Sequence, residues 1–168
     1  KSPKRYIPRL FKALSRAETG HLLGGFWLGD GVLDARKVKT RTGRVRRAVR
    51  IAFSSRSKQL AQDVLDLLLF MGLPTTLTTY NVKYKGEARP VWTATVVGRK
   101  AKKQFLDMVK GGVIYAPPLL ATADEMLAIL ADVEHAGGRR PDVDENGLWW
   151  VPVVGNTVTS REECFDIH

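Results

Sequence analysis

The chain has 168 residues, 44% of them hydrophobic, and a net charge of +10, which suits one globular domain with an appendage. No apolar run is long enough to span a bilayer, and no signal-peptide core follows the basic residues Lys1 to Arg9. The single Cys164 excludes an internal disulfide and a Cys-based zinc cluster, and fits a reducing, cytoplasmic setting.

The charge is divided along the chain. Residues 1–110 hold 24 Lys+Arg against 7 Asp+Glu, and residues 111–168 hold 3 against 10. The first part is built for a polyanion, with nucleic acid the expected partner, and the second reads as a different module. Three regions follow: a basic lead-in over 1–14, a main domain over 15–110 and an acidic extension over 111–168.

Lys4-Arg5-Tyr6-Ile7-Pro8 is extended, because Pro8 steers Ile7 away from helix. Ser15-Arg16-Ala17-Glu18 fits a capping box, so the first main helix is predicted over about 16–29. Its second half, Leu22 to Gly31, contains Gly24, Gly25 and Gly29, and each glycine costs about 1 kcal/mol in a helix interior relative to alanine. Gly25 and Gly29 share one face, where a second helix backbone can approach closely. Gly31 stops the helix. Asp30 stands at the wrong end of the macrodipole, and a carboxylate there suggests a site at an interface.

Residues 31–41 and 44–54 alternate as a β-hairpin. Val45, Val49, Ile51 and Phe53 fall on one face, and Arg44, Arg46 and Arg50 on the other, with Arg47 on the apolar side. Residues 36–50 carry eight basic side chains and no acid. A two-stranded ribbon of this kind fits the DNA major groove.

A second helix is predicted over 58–71 on the stripe Leu60, Ala61, Val64, Leu65, Leu67, Leu68 and Met71. A second hairpin follows over 75–84 and 90–97, its faces ambiguous, and a third helix over 99–110. The order αββαββα implies an antiparallel four-stranded sheet with helices on one face and an open basic face. Gly111-Gly112 and Pro117-Pro118 read as breakers. Thr122 or Asp124 caps a helix over about 123–136, and Leu148 to Val154 and Cys164 to His168 read as short β segments. The fold class is therefore α+β.

Leu23 to Gly31 resembles the signature of the LAGLIDADG homing endonucleases, and αββαββα is the order of that family's core. Arg5-Tyr6-Ile7-Pro8 is similar to the block that precedes the second signature helix in the intein-embedded branch. Ile51 to Leu73 is similar to the block that follows it. Trp150 to His168 resembles the late intein splicing block, with Asp166 matching its acidic position. Two departures stand out: one good signature where two must meet, and none of the terminal residues that splicing needs.

The resemblance implies a metal-dependent endonuclease that cuts double-stranded DNA. Two signature helices pack through their small faces, here Gly25 and Gly29. The second helix comes from a homodimer mate or from an absent first half, the arrangement that the Ile-Pro block favours. Asp30 is then the catalytic carboxylate and Mg2+ ligand, with the Gly29 or Gly31 carbonyl beside it. Arg5 or Lys102 (or Lys103) supplies positive charge, an arginine acting only electrostatically. The residues expected to face DNA are Asp34, Arg36, Lys39, Thr40, Arg44, Arg46 and Arg50 on the first hairpin. On the second they are Thr78, Tyr80, Thr93 and Thr95. The alternatives are a binding module that has lost cleavage, on DNA or RNA, and a splicing fragment.

Overall fold

The computed structural model describes residues 5–8, 11, 13–39, 43 and 45–132. Helix α1 (Arg16–Gly29) is followed by strands β1 (Gly31–Lys39) and β2 (Val45–Ser55). Helix α2 (Lys58–Phe70), strands β3 (Thr75–Tyr84) and β4 (Glu87–Val96) and helix α3 (Arg99–Lys110) complete the αββαββα core. A 3-10 turn (Pro117–Leu119) then leads into helix α4 (Leu120–Asp132).

Local chemistry sets these boundaries. The Glu18 N–H donates to Ser15 Oγ, and Glu18 Oε2 accepts the Ser15 N–H at 2.8 Å, which is the capping box expected at the start of α1. Ser57 caps α2 by accepting the Leu60 N–H. Gly72, at φ +76°, ends α2 in the left-handed conformation that glycine tolerates. The second hairpin closes through Lys85 and Gly86, both at positive φ, between the paired residues Tyr84 and Glu87. Strand β4 therefore starts three residues before the predicted arm. Pro90 lies outside the Trp92–Thr95 ladder with β2, so its missing N–H removes no bond there.

Helix α4 also starts earlier than predicted. Pro117 and Pro118 occupy the first positions of the 3-10 turn and seed the helix, because proline's fixed φ suits a first turn as well as it blocks an interior. The predicted end near 136 and both late β segments lie outside the described residues.

The four strands form one antiparallel sheet in the order β1-β2-β4-β3. The outer pairs are long hairpins, but β2 meets β4 only from Ala52–Thr95 to Ser55–Trp92. The hairpins therefore overlap at the centre and extend in opposite directions. On the helical face, Leu33, Ala35, Val49, Ile51, Phe53 and Val96 meet the helices. Trp27 of α1 packs between Phe53 and Phe105, with ring centroids 6.3 and 4.8 Å away. All seven residues of the α2 stripe are buried. Ile114, Ala123, Met126, Ile129 and Leu130 join the same core, and α4 packs on α3, β1 and β2.

Candidate nucleic-acid interface and acidic centre

Asp30 is the C-cap of α1, and its backbone N–H donates to the Phe26 carbonyl at 3.0 Å. It directly precedes β1, whose first residue Gly31 pairs with Phe53. A Cβ on Gly31 would stand 2.5 Å from the Trp27 Cα. Only a residue without a side chain lets the chain leave the helix this sharply. The carboxylate is thus placed at the joint between α1 and the sheet.

The glycines of α1 divide into two kinds. A Cβ on Gly20 would lie 1.9 Å from the Val113 carbonyl oxygen, and one on Gly24 would lie 2.2 Å from that of Tyr115. These two admit the segment after α3 against the helix. Among the described residues, a Cβ on Gly25 or Gly29 would meet nothing within 4 Å. The described residues thus leave uncovered the small-residue face expected for helix pairing. Leu28, next to Gly29 in the chain, is exposed. Beyond Leu22 and Phe26, an open groove of about 400 Å³ runs to Arg5, Tyr6, Ile7, Pro8, Phe11 and Leu60.

The lead-in reaches this groove because α2 holds it. The Ile7 N–H donates to buried Asp63 Oδ2 at 2.7 Å, and Ser57 Oγ donates to the Arg5 carbonyl. Asp63 also accepts from Gln59 Nε2 at 3.0 Å. Arg5 is exposed and lines the same groove as Phe26, one helical turn before Asp30.

The rungs assign the open face of the sheet. Val32, Asp34, Arg36 and Val38 stand opposite Ala52, Arg50, Ala48 and Arg46. Ser54 and Ala52 stand opposite Thr93 and Thr95, and these stand opposite Thr78 and Thr76. Continuing outward, Tyr80 pairs with Val91, Val82 with Arg89 and Tyr84 with Glu87. Side chains of paired residues share a face, so Asp34, Arg36, Arg50, Tyr80, Thr93 and Thr95 all lie on one surface, and Arg46 falls in the same row by register. Thr93 is 2% exposed, and its hydroxyl is engaged with Ser54 Oγ at 2.9 Å. Lys39 pairs with Val45 and belongs to the opposite, helical face. Thr40, Arg44 and Asp166 lie outside the described residues. Arg89, Tyr84 and Val82 also belong to the open face, a placement that the ambiguous second hairpin conceals in the sequence.

Acidic residues of α4 sit among basic residues of the helical layer. Arg47 Nη2 meets Glu125 Oε1 at 2.7 Å, and Lys110 Nζ meets Asp124 Oδ1 at 2.6 Å. The Asp124 carboxylate raises the Lys110 pKa. These contacts leave the arginine rows of the opposite face untouched. Lys102 is bound within the fold, its ammonium donating to the Val49 carbonyl at 2.7 Å. Val49 pairs with Ala35, four rungs along β1 from Gly31, about 13 Å at ~3.3 Å per residue. Lys102 is not brought to Asp30. Lys103 pairs with Asp107 at 2.8 Å on the outer side of α3.

Among the described residues, no three His, Cys, Asp or Glu side chains converge in a way that could hold a metal ion. The oxygen donors at the joint are the Asp30 carboxylate and carbonyls of the last turn of α1 after Phe26, such as that of Gly29, where a helix runs out of its own N–H donors. A hard cation that keeps several waters needs few protein oxygens. These donors fit such an ion when a second chain segment adds its own carboxylate.

Residues 18–110 match the family model described as a LAGLIDADG-like domain. Among solved structures, the chain is similar to the homing endonuclease I-CvuI in complex with its target (Sro1.3) in the presence of 2 mM Ca. There the TM-score is 0.54 and the identity 19%, over 69% of this chain and 68% of that one. It is also similar to I-CvuI in complex with the I-CreI target in 2 mM Mg, described as DNA not cleaved, at TM-score 0.51, 19% identity and the same coverage. Likeness at this identity establishes the shared fold. No curated protein sequence matches the chain.

Proposed function

Since the chain belongs to the LAGLIDADG-like domain family, we propose that it is a sequence-specific endonuclease that cuts double-stranded DNA and supplies one half of a two-helix centre. The observation that carries this reading is the position of Asp30. It ends a helix whose Gly25–Gly29 face the described residues leave uncovered, and it directly precedes strand β1, which bears Asp34 and Arg36. Pairing two such helices brings two carboxylates together, one from each half.

The sheet suits the substrate. Strands advance about 3.3 Å per residue and B-DNA about 3.4 Å per base pair, so a strand laid along the groove keeps step with the bases. Arginines on the open face neutralise phosphates or read base edges. The net charge of +10 supports association with a polyanion. That I-CvuI carries target DNA in both matched structures favours the same ligand here.

Asp30 and the Gly29 carbonyl would hold Mg2+, with Asp30 also accepting a hydrogen bond from the attacking water. When bound, the ion supplies positive charge at the scissile phosphate and lowers the pKa of coordinated water. Arg5, beside α1, is the basic residue we assign to the phosphate, where a fixed guanidinium stabilises developing charge. Lys102, bonded to Val49, serves the sheet. The second helix is read as coming from a homodimer mate or from a first half of a longer chain. The intein setting rests on the likeness of Arg5 to Pro8 and Trp150 to His168 to intein blocks.

The test is incubation with a plasmid pool carrying randomised inserts in Mg2+. Linear product enriched for one sequence supports the reading. Tight selection of one sequence without a cut would favour a binding module instead, and no DNA association at all would remove both.

A further inference from the structure

Two arginines of the open face share one construction. Arg36 Nε donates to Asp34 Oδ2 at 3.1 Å. Arg89 donates through both Nε, at 3.2 Å, and Nη2, at 2.8 Å, to Glu87 Oε2. In each case the carboxylate lies two residues earlier on the same strand and on the same face. The Arg89 guanidinium also lies over the Tyr84 ring, 5.0 Å from its centroid, and Tyr84 shares the Glu87 rung.

A neighbouring carboxylate weakens attraction to phosphate, so these pairs are poorly built as anchors for the DNA backbone. What they gain is orientation. Contact on the Nε side leaves the Nη1–Nη2 end of the fork directed away from the carboxylate. That end carries the parallel N–H donors that match O6 and N7 of guanine.

Their spacing is the second observation. Ala48, the rung partner of Arg36, lies four residues from Ala52, which pairs with Thr95. Arg89 lies six residues from Thr95 in the opposite direction. Ten rungs therefore separate the arginines, about 33 Å along the strands, close to one turn of B-DNA at about 34 Å.

We propose that Arg36 and Arg89 read guanines at the two ends of one half-site, about ten base pairs apart, with Asp34 and Glu87 as their positioning residues. The inference rests on the DNA-binding reading above and adds which residues set specificity and at what spacing.

Selection from a randomised 24-base-pair duplex pool tests it, by sequencing what the wild type, Arg36→Ala, Arg89→Ala and Glu87→Ala each retain. The wild type is expected to select guanine at two positions about ten base pairs apart. Each arginine variant is expected to lose roughly 5- to 150-fold discrimination at one of them and keep the other. Glu87→Ala is expected to relax the same position as Arg89→Ala while its affinity for bulk DNA holds or rises, a combination that simple loss of fold cannot produce. Uniform weakening on every sequence, or altered preferences at adjacent positions, would overturn the proposal while sparing the DNA-binding reading. Failure of the wild type to retain any duplex would overturn both.

Discussion

Gly24 lies so close to Tyr115 that a Cβ on the glycine would stand 2.2 Å from the tyrosine carbonyl oxygen. One residue on, a Cβ on Gly25 would meet nothing within 4 Å among the described residues. Two glycines in one helical turn thus have opposite duties. The first receives the chain's own backbone, and the second is the one that the proposed function gives to a partner helix.

Gly24→Ala is therefore expected to destabilise the fold, by about 1–3 kcal/mol as overpacking against a backbone that must shift. Gly25→Ala is expected to leave the isolated chain as stable or up to about 1 kcal/mol more stable through helix propensity, and to weaken pairing. Denaturant melts separate the stability effects, and sedimentation of the chain, alone or with its other half, reports the pairing.

The capping box gives a pH dependence. The Ser15 hydroxyl, and then the Ser15 N–H, hold the Glu18 carboxyl below its ordinary pKa. A carboxylate lowered in the folded state contributes stability above its unfolded pKa, and that contribution fades as pH falls through the folded value. Ser15→Ala is expected to cost about 1 kcal/mol near neutral pH. The deficit of Glu18→Gln relative to wild type should shrink as thermal melts move from pH 7 toward pH 3.

Asp63 lies inside the apolar stripe of α2 and accepts the Ile7 N–H. Asp63→Ala strands a buried donor and is expected to cost about 1–3 kcal/mol. It should also release residues 5–8 from α2, seen as faster proteolysis at Arg5 and loss of hydrogen-exchange protection at Ile7. Glu87→Gln, on an exposed pair, should change neither.

Lys102 tests the division of labour among the basic residues. Because its ammonium is bonded to Val49 four rungs from the Gly31 end of β1, Lys102→Met is expected to lower stability by about 1–3 kcal/mol. The protein that remains folded should retain its DNA-cleaving rate within a few fold. Arg5→Ala is expected to do the reverse, with little change in melting and about a hundredfold loss in rate, the scale of one lost charge-stabilising group.

Much of this is legible in the sequence because the determinants are local. Ser15 and Glu18 are three residues apart, the arginines of β2 alternate with Val49, Ile51 and Phe53, and the α2 stripe repeats at helical spacing. The duties of Gly20 and Gly24 are not legible, since they depend on Val113 and Tyr115 returning to α1 from about ninety residues away. The second hairpin hides its faces because both rows from Val91 to Val96 are apolar or threonine. The Ser54–Thr93 rung, supplied by a different hairpin, decides them. Pro117 and Pro118 read as breakers in the sequence, although proline starts helices as readily as it ends them.

In the proposed function Asp30 holds the metal for DNA cleavage, and this chain supplies one such acid to a centre that needs two. The most direct measurement of that role is single-turnover cutting of a selected duplex by wild type and Asp30→Asn, each with Mg2+ and with chelator. The expected result is Mg2+-dependent scission of both strands by wild type, with Asp30→Asn binding the duplex equally well and cutting at least about a hundredfold more slowly, as for loss of a charge-stabilising group. Equal cutting by Asp30→Asn, or scission by wild type that persists in chelator, would contradict it.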